Sequence, residues 1–436
     1  MIHRCICMVI NGTMSAVWLQ VGQCGNQIGQ EWWQLLTQKS ALQGEADRHP
    51  FCSLDGKLSA ICVDSEPKVV RKLQKHVKGG FFRESNLIVG KQGRGKNWAY
   101  GYHDGRSDNE RGLLQRTMES LRKEAERRDC YCGTVLFHSL GGGTGAGLSS
   151  RLCEAIRDEY SLGQILAVTV APHQAGESPL QHYNALLCLA WLQRHADGIL
   201  LLQNDEVLAR AGAPHAAAVQ PRVSLSSMNA YIASCLAGLL YPVEAFTGRV
   251  SIGMEPWELL RAVCPMPAMK FLYVSQASQR GTAFWDSLAS SAVRYLPRES
   301  HTGQPHHSTA VLAVARSPDE DSFLRAHTSV LKRLRQACRC VPWNPFPVSC
   351  WTDIGATAPN SRSVAEPGSH SHSLTVCANH SSSADFLQQV VERARVMYRA
   401  GAYLHWYWRH GCEEEDFRQA FDTLHSVMDD YGHLGE

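Results

Sequence analysis

Residues Thr134–Ser150 read TVLFHSLGGGTGAGLSS, an apolar strand that empties into five glycines within seven residues and then into a helix. Glycine carries no Cβ, so consecutive backbone N–H groups can close around an anion, and the helix start that follows adds unpaired donors and a positive dipole end. A plain strand-to-helix turn needs one or two glycines; this run predicts a phosphate-binding loop. The Walker pattern is excluded, because no Lys-Ser or Lys-Thr follows. Gly141–Ala146 fits G-x-G-x-x-A, which keeps a nicotinamide-dependent oxidoreductase formally open. The features that would confirm it are missing: the motif lies mid-chain, and the next strand ends Val168–Pro172 without an acid for a ribose.

The flanking pattern alternates strand and helix. Strands are predicted at Val17–Gly22, Ala60–Asp64, Thr134–Leu140, Gln164–Val170 and Gly198–Gln203, with helices at Asn26–Leu36, Ser107–Arg128 and Gly147–Tyr160. In Ser107–Arg128 the residues Leu113, Leu114, Met118, Leu121 and Ala125 recur at three and four, with Arg, Lys and Glu opposite. Such a βα rhythm implies an α/β fold with a doubly wound parallel sheet. An apolar helix at Ser226–Leu240 follows, then a mixed region with strands at Lys270–Val274, Thr309–Ala315 and Leu374–Ala378 and a helix at Asp319–Arg335. Gly355–His372 reads as an exposed loop, and two amphipathic helices close the chain, the second behind the acidic cap Glu413–Asp416.

Composition narrows the classes. The 436 residues carry 43 Lys+Arg against 41 Asp+Glu, a net charge of +2, which argues against a nucleic-acid-binding surface or a polybasic membrane anchor. No apolar run approaches the roughly 18 residues of a membrane span. The sixteen cysteines include no C-x-x-C pair, and the close pairs Cys5/Cys7, Cys130/Cys132 and Cys338/Cys340 are C-x-C, so reduced cytosolic thiols are expected. The histidines of His306-His307 and His370-Ser-His372 are expected in loops without a metal role.

Several segments together resemble the tubulin family. GGGTGAG at Gly141–Gly147 is similar to its signature loop and GQCGNQIG at Gly22–Gly29 to its first nucleotide loop, about 120 residues earlier. VDSEP (Val63–Pro67) resembles the second loop and KQGRGKNWAYGY (Lys91–Tyr102) the third, while AYLHWYWRHGCEEEDF resembles the C-terminal helices. The likeness runs from about Met14 to Tyr431. QGRGKNWAYGY, the EPK of Glu66–Lys68 and EEEDF of Glu413–Phe417 look most similar to delta tubulin, with the zeta type fitting about as well. The chain ends without the glutamate-rich tail of alpha and beta tubulins, which puts tail-dependent functions in doubt.

The resemblance implies a GTP-binding domain over 14–212, a bridging helix and linker over 213–250, an intermediate α/β domain over 251–379 and C-terminal helices over 380–436, with 1–13 as an extension. It implies GTP or GDP as ligand and Mg²⁺ held by Gln23, Asp64 and Glu66. The nucleotide contacts it implies are Gly22, Gln23, Cys24, Asn97, Ser139, Gly142, Gly143, Thr144, Gly145, Glu177, Gln181, Asn204, Leu225 and Asn229. Asn204 and Asn229 match the guanine-reading asparagines, whose amides offer both a donor and an acceptor. Gln181 stands where alpha and beta tubulin carry a ribose-binding Glu, Lys96 replaces an Asn, and Leu225 replaces a ring that stacks on the base. Loss of that ring costs about 1 kcal/mol.

For hydrolysis the resemblance implies a catalytic acid, Glu258, counted back from the CPMP of Cys264–Pro267, with Glu255 a fallback one turn earlier. Such an acid completes a neighbouring subunit's site. The implied partners are other tubulins, with no nucleic acid and no membrane. The implied locations are cytoplasm and cytoskeleton, with centriole, basal body and cilium. The expected role is a structural GTPase supporting doublet and triplet microtubules. The alternative is a soluble GTP-binding regulatory protein that does not polymerise.

Overall fold

The structure is a computed structural model that describes residues 15–43, 51–53, 55–76, 81–103, 112–128, 130–176, 178–211, 223–243, 255–282, 284–318, 320–354 and 371–435. The expected extension 1–13, Met14, Glu177, residues 213–222 and 244–250 of the bridging segment and all but the end of the Gly355–His372 loop lie outside these residues.

In chain order the first half contains β1 (Ala16–Val21), α1 (Gly22–Gln43), β2 (Ala60–Asp64), α2 (Pro67–His76), β3 (Leu87–Val89), α3 (Trp98–Tyr102), α4 (Leu113–Glu126) and β4 (Gly133–Ser139). It continues with α5 (Ser149–Glu159), β5 (Gln164–Ala171), α6 (Leu180–His195), β6 (Gly198–Gln203), α7 (Asn204–Ala211) and α8 (Leu225–Leu240). The second half has α9 (Pro256–Val263), β7 (Phe271–Arg280), α10 (Trp285–Ala292), β8 (Ser308–Ser317), α11 (Glu320–Ala337), β9 (Val348–Ile354) and β10 (Ser371–His380). It ends in α12 (Ser382–Arg399), α13 (Leu404–Trp408) and α14 (Glu414–Gly432).

The described strands form one ten-stranded sheet in the order β3-β2-β1-β4-β5-β6-β7-β10-β8-β9. From β3 to β7 every pairing is parallel; β10 runs antiparallel to both β7 and β8. The predicted α/β class with a doubly wound parallel block is therefore present, and the second unit continues the same sheet through the pairs Ile199↔Phe271 and Leu200↔Leu272.

Burial follows the two-residue period of a strand. In β1, Val17, Leu19 and Val21 enter the core under α4, α5, α6, α12 and α14, whereas Ala16 and Trp18 face α1, α2, α8 and α9. Both faces of the parallel block are covered, which is why its strands read as continuous apolar runs. On the second face Trp18 stacks on Trp32 at 5.2 Å and meets Phe51 and Phe137 edge-on. A third core lies between β8, β10 and the helices α10 and α11.

Two local expectations change. Ser371 and His372 begin β10 rather than ending a loop, and His372 is buried with Nδ1 2.9 Å from Ser317 Oγ. His306 is also buried, with Ser381 Oγ at 3.0 Å and Asp385 Oδ2 at 3.1 Å. Polar partners make both positions interior, Ser317 from the end of β8 for His372 and Ser381 and Asp385 from the start of α12 for His306, and none of them is near in sequence.

The first turn of α9 is fixed by a capping box in which Glu258 Oε2 accepts from the Glu255 backbone N–H at 3.4 Å. Glu255 Oε1 also accepts from Ser15 N at 2.6 Å, and Trp257 Nε1 donates to Ser15 Oγ at 3.1 Å. Burial pushes the Glu255 carboxyl from its ordinary 4.5 up to about 7. A raised carboxyl means that the folded chain binds the extra proton, so this group's contribution to stability falls as pH rises between those values. Glu255→Gln keeps an acceptor for Ser15; unfolding melts should show the variant more stable than wild type at pH 8 and equal to it at pH 4.

Candidate nucleotide site

Strand order places the site. The order β3-β2-β1-β4-β5-β6 reverses direction between β1 and β4, and loops leaving adjacent strands there part to opposite faces and open a crevice. A cleft of about 820 Å³ lies at the carboxyl ends of these strands. Its walls include Gln23, Cys24, Asp64, Glu66, Ser139, Gly142, Gly143, Thr144, Gly145, Gln181, Asn204, Leu225 and Asn229 from the predicted set. Gly22 and Asn97 are not among the lining residues. Gly22 turns the chain from β1 into α1 with φ +73°. Glu258 is far away: α9 begins beside Ser15, before β1, and the cleft lies beyond Val21. At about 3.3 Å per residue the six residues of β1 put roughly 20 Å between them.

The glycine loop is seated by direct backbone contact. A Cβ on Gly143 would lie 2.6 Å from the carbonyl oxygen of Arg94, and one on Gly147 would lie 2.1 Å from that of Trp98. The loop over 91–97 thus rests on the glycine run with no side chain between. Thr144–Leu148 forms a wide π-type turn into α5, and Thr144 Oγ1 is 2.6 Å from Ser65 Oγ at the end of β2.

Two buried residues that the sequence reading missed hold this arrangement. Asn184 of α6 donates through Nδ2 to Lys96 O at 2.7 Å and Gly141 O at 3.0 Å, while its Oδ1 accepts from Trp98 N at 2.8 Å and Tyr407 O–H at 2.7 Å. His138 lies under the loop, with Nδ1 3.0 Å from Gly145 O and Nε2 2.9 Å from Thr169 Oγ1. Burial holds its pKa down at about 4, so the ring is neutral and donates to the carbonyl from Nδ1. Asn184 sits in LQHYN, three residues after Gln181, so a polar side chain inside an otherwise apolar helix was the available signal.

The third loop uses its residues differently from the expectation. Asn97 caps α3, accepting from Tyr100 N at 3.2 Å, and donates to Trp406 O at 3.2 Å. Arg94 and Lys96 of the same loop line the cleft instead, joined by Lys68. Lys96 has φ +54°, a left-handed conformation that costs a residue with a Cβ about 1 kcal/mol.

At the cleft's other end Asn204 starts α7, and Leu225 and Asn229 lie on the first turns of α8. Leu225 is 66% exposed. Gln181 is buried and donates to His173 O at 3.2 Å, and His173 Nδ1 lies 2.7 Å from Asp205 Oδ1.

The acidic edge suits a hard divalent cation. Burial raises the Asp64 carboxyl to about 6, backbone N–H groups of Ser65 and Glu66 lower it, and the Glu66 charge raises it further. Two carboxylates and the Gln23 amide oxygen are all oxygen donors. Among the described residues no group of three or more His, Cys, Asp or Glu closes a cage. A cation held there would take its remaining ligands from phosphate and water, the manner in which Mg²⁺ binds. Cys24, at the same edge, is pushed up to about 12 by burial and stays a thiol.

A glycine-lined cradle at the switch point, with paired amides at one end and carboxylates at the other, is an arrangement in an α/β protein that suits a nucleotide. Residues 15–211 match the Tubulin/FtsZ family GTPase domain. Over 95% of its length the chain is 25% identical to the nucleomorph tubulin beta chain of Guillardia theta, covering 95% of that protein. It is 26% identical to the tubulin beta-2 chain of Emericella nidulans and to the tubulin beta-8 chain of Oryza sativa subsp. japonica, in each case over 95% of this chain and 93% of the relative. The chain is thus similar to tubulin beta chains over nearly its whole length. Among the described residues no helix is long and apolar enough to cross a membrane.

Asn184→Ala would leave two carbonyls and one N–H without their partner. The expected cost is about 2–4 kcal/mol, read as a lowered unfolding midpoint. Amide exchange should quicken in 94–98 and 141–145 together, because one side chain ties both segments.

Proposed function

We propose that the chain binds GTP or GDP with Mg²⁺ in this cleft and acts as a structural subunit that stacks head to tail on other tubulins. The observation that carries this reading is the placement of the cleft and Glu258 at opposite ends of one parallel sheet. Within one chain Glu258 cannot reach the phosphate end. A neighbour stacked in the same orientation presents its own α9 to the open cleft, and its carboxylate then orients a water toward the terminal phosphate. Assembly precedes hydrolysis in this scheme, and the free chain turns over slowly. Bound Mg²⁺ would neutralise phosphate charge, held through Asp64, Glu66 and Gln23.

The finer assignment is a delta- or zeta-type role in centrioles, basal bodies and cilia, supporting doublet and triplet microtubules. It rests on the likeness of QGRGKNWAYGY, EPK and EEEDF to those types. A second reading, a GTP-binding regulatory protein that never polymerises, is favoured by Leu225, which leaves the base without a stacking ring.

The first test is the nucleotide content of the purified, then denatured, chain, kept in Mg²⁺ throughout. About one guanine nucleotide per chain is expected; an empty protein that also takes up no added GTP removes both readings. Glu258→Gln, which retains an acceptor for the α9 cap, should leave binding unchanged and abolish turnover that rises with protein concentration. Turnover independent of concentration and of Glu258 would favour the regulatory reading.

A further inference from the structure

Resting on that nucleotide reading, we infer that Arg94 is the residue by which this chain distinguishes a nucleoside triphosphate from a diphosphate, its guanidinium taking the terminal phosphate. Direction along the cleft comes from the sheet. Asn204 follows β6, the glycine run follows β4, and Asp64 and the loop over 91–97 follow β2 and β3 at the far edge of the parallel block. A nucleotide whose base lies by Asn204 and Asn229 and whose inner phosphates lie on the glycine run therefore points its last phosphate at the 91–97 loop.

Of the residues of that loop, Arg94, Gly95 and Lys96 line the cleft. Arg94 is the one among them with a fixed, planar, charged end. Its guanidinium carbon lies 4.9 Å from the centre of the Tyr100 ring, and Tyr100 is stacked on His410 at 4.4 Å with the rings 13° apart. The three-tier stack spends little of the arginine's rotamer freedom on binding, because a cation resting on a π face is already ordered. At its other end the Arg94 carbonyl and Cβ press on Gly143, so the residue spans from the cradle to the stack. A guanidinium presents paired N–H donors that match the oxygens of a terminal phosphate, a geometry that a lysine cannot copy. Lys68 and Lys96 share the wall as point charges, and they favour phosphate of either length.

The test is equilibrium binding of GTP and GDP, each with Mg²⁺, to the full chain, to Arg94→Ala and to Arg94→Lys. The expected result is a loss of GTP affinity of about tenfold or more in Arg94→Ala, with GDP affinity changed by less than about twofold. Arg94→Lys should recover only part of the GTP affinity, which separates paired contact from bare charge. Equal weakening of both nucleotides, or no change in either, overturns the assignment while leaving the nucleotide site intact. A wild-type chain that binds neither nucleotide overturns the site reading, and this inference with it.

Discussion

The organisation of the molecule depends on a close approach between two stretches of main chain that have no side chains to separate them. Gly143 and Gly147 bring the glycine run against the carbonyls of Arg94 and Trp98 at distances a Cβ could not share. Such contact offers no apolar burial of its own, so the loops must be held by groups that reach them from elsewhere. Asn184 does this from α6, satisfying three main-chain groups, and Tyr407 from the C-terminal segment completes its hydrogen bonds. The C-terminal helices are thus tied to the nucleotide cleft through one buried amide. A second tie runs from Asn97 to the carbonyl of Trp406.

What the sequence made legible was whatever repeats over a few residues. The strands of the parallel block, the two glycine loops, the amphipathic faces of α4, α12 and α14 and the acidic cap of α14 all follow from local period or composition. The α6 helix escaped that reading because it is buried around almost its whole circumference, which leaves no polar stripe for a period to show. Asn184 and Lys96 are 88 residues apart, so nothing local marks their bond. The same holds for His306 with Asp385 and for Glu255 with Ser15, separated by 79 and 240 residues. Glu255 carries the further lesson that a carboxylate on a surface-looking helix start can be spent entirely on packing.

Asn97, expected to face a phosphate, is turned to the interior of its own loop. An asparagine between a turn and a short helix is chemically suited to cap that helix, and here its carbonyl oxygen does so while its amide reaches Trp406. Once that side chain is turned inward, the positions that remain on the cleft wall are Arg94, Gly95 and Lys96. The wall consequently carries the positive charge of Lys96, as the sequence suggested, and that of Arg94 beside it. Lys96 holds a left-handed backbone and still offers its carbonyl to Asn184, so turn geometry and charge are set by one residue.

The two ends of the sheet then take on unequal chemistry from the same parallel topology. Parallel strands put every βα loop at one end, and with them the glycine donors, the amides and the lysines and arginine of the cleft. The other end receives the α9 start, where Glu255 and Glu258 are both half-buried on one turn and Glu255 is neutral at acidic pH. One acid of the pair fastens α9 to Ser15, just before β1, and the other is left at the rim. Because Glu258 Oε2 also accepts from the Glu255 backbone, the rim acid is oriented by the helix that carries it. A chain built this way has a glycine-lined cleft at one end and an ordered carboxylate at the other, about one strand length apart, and the two can meet only between molecules.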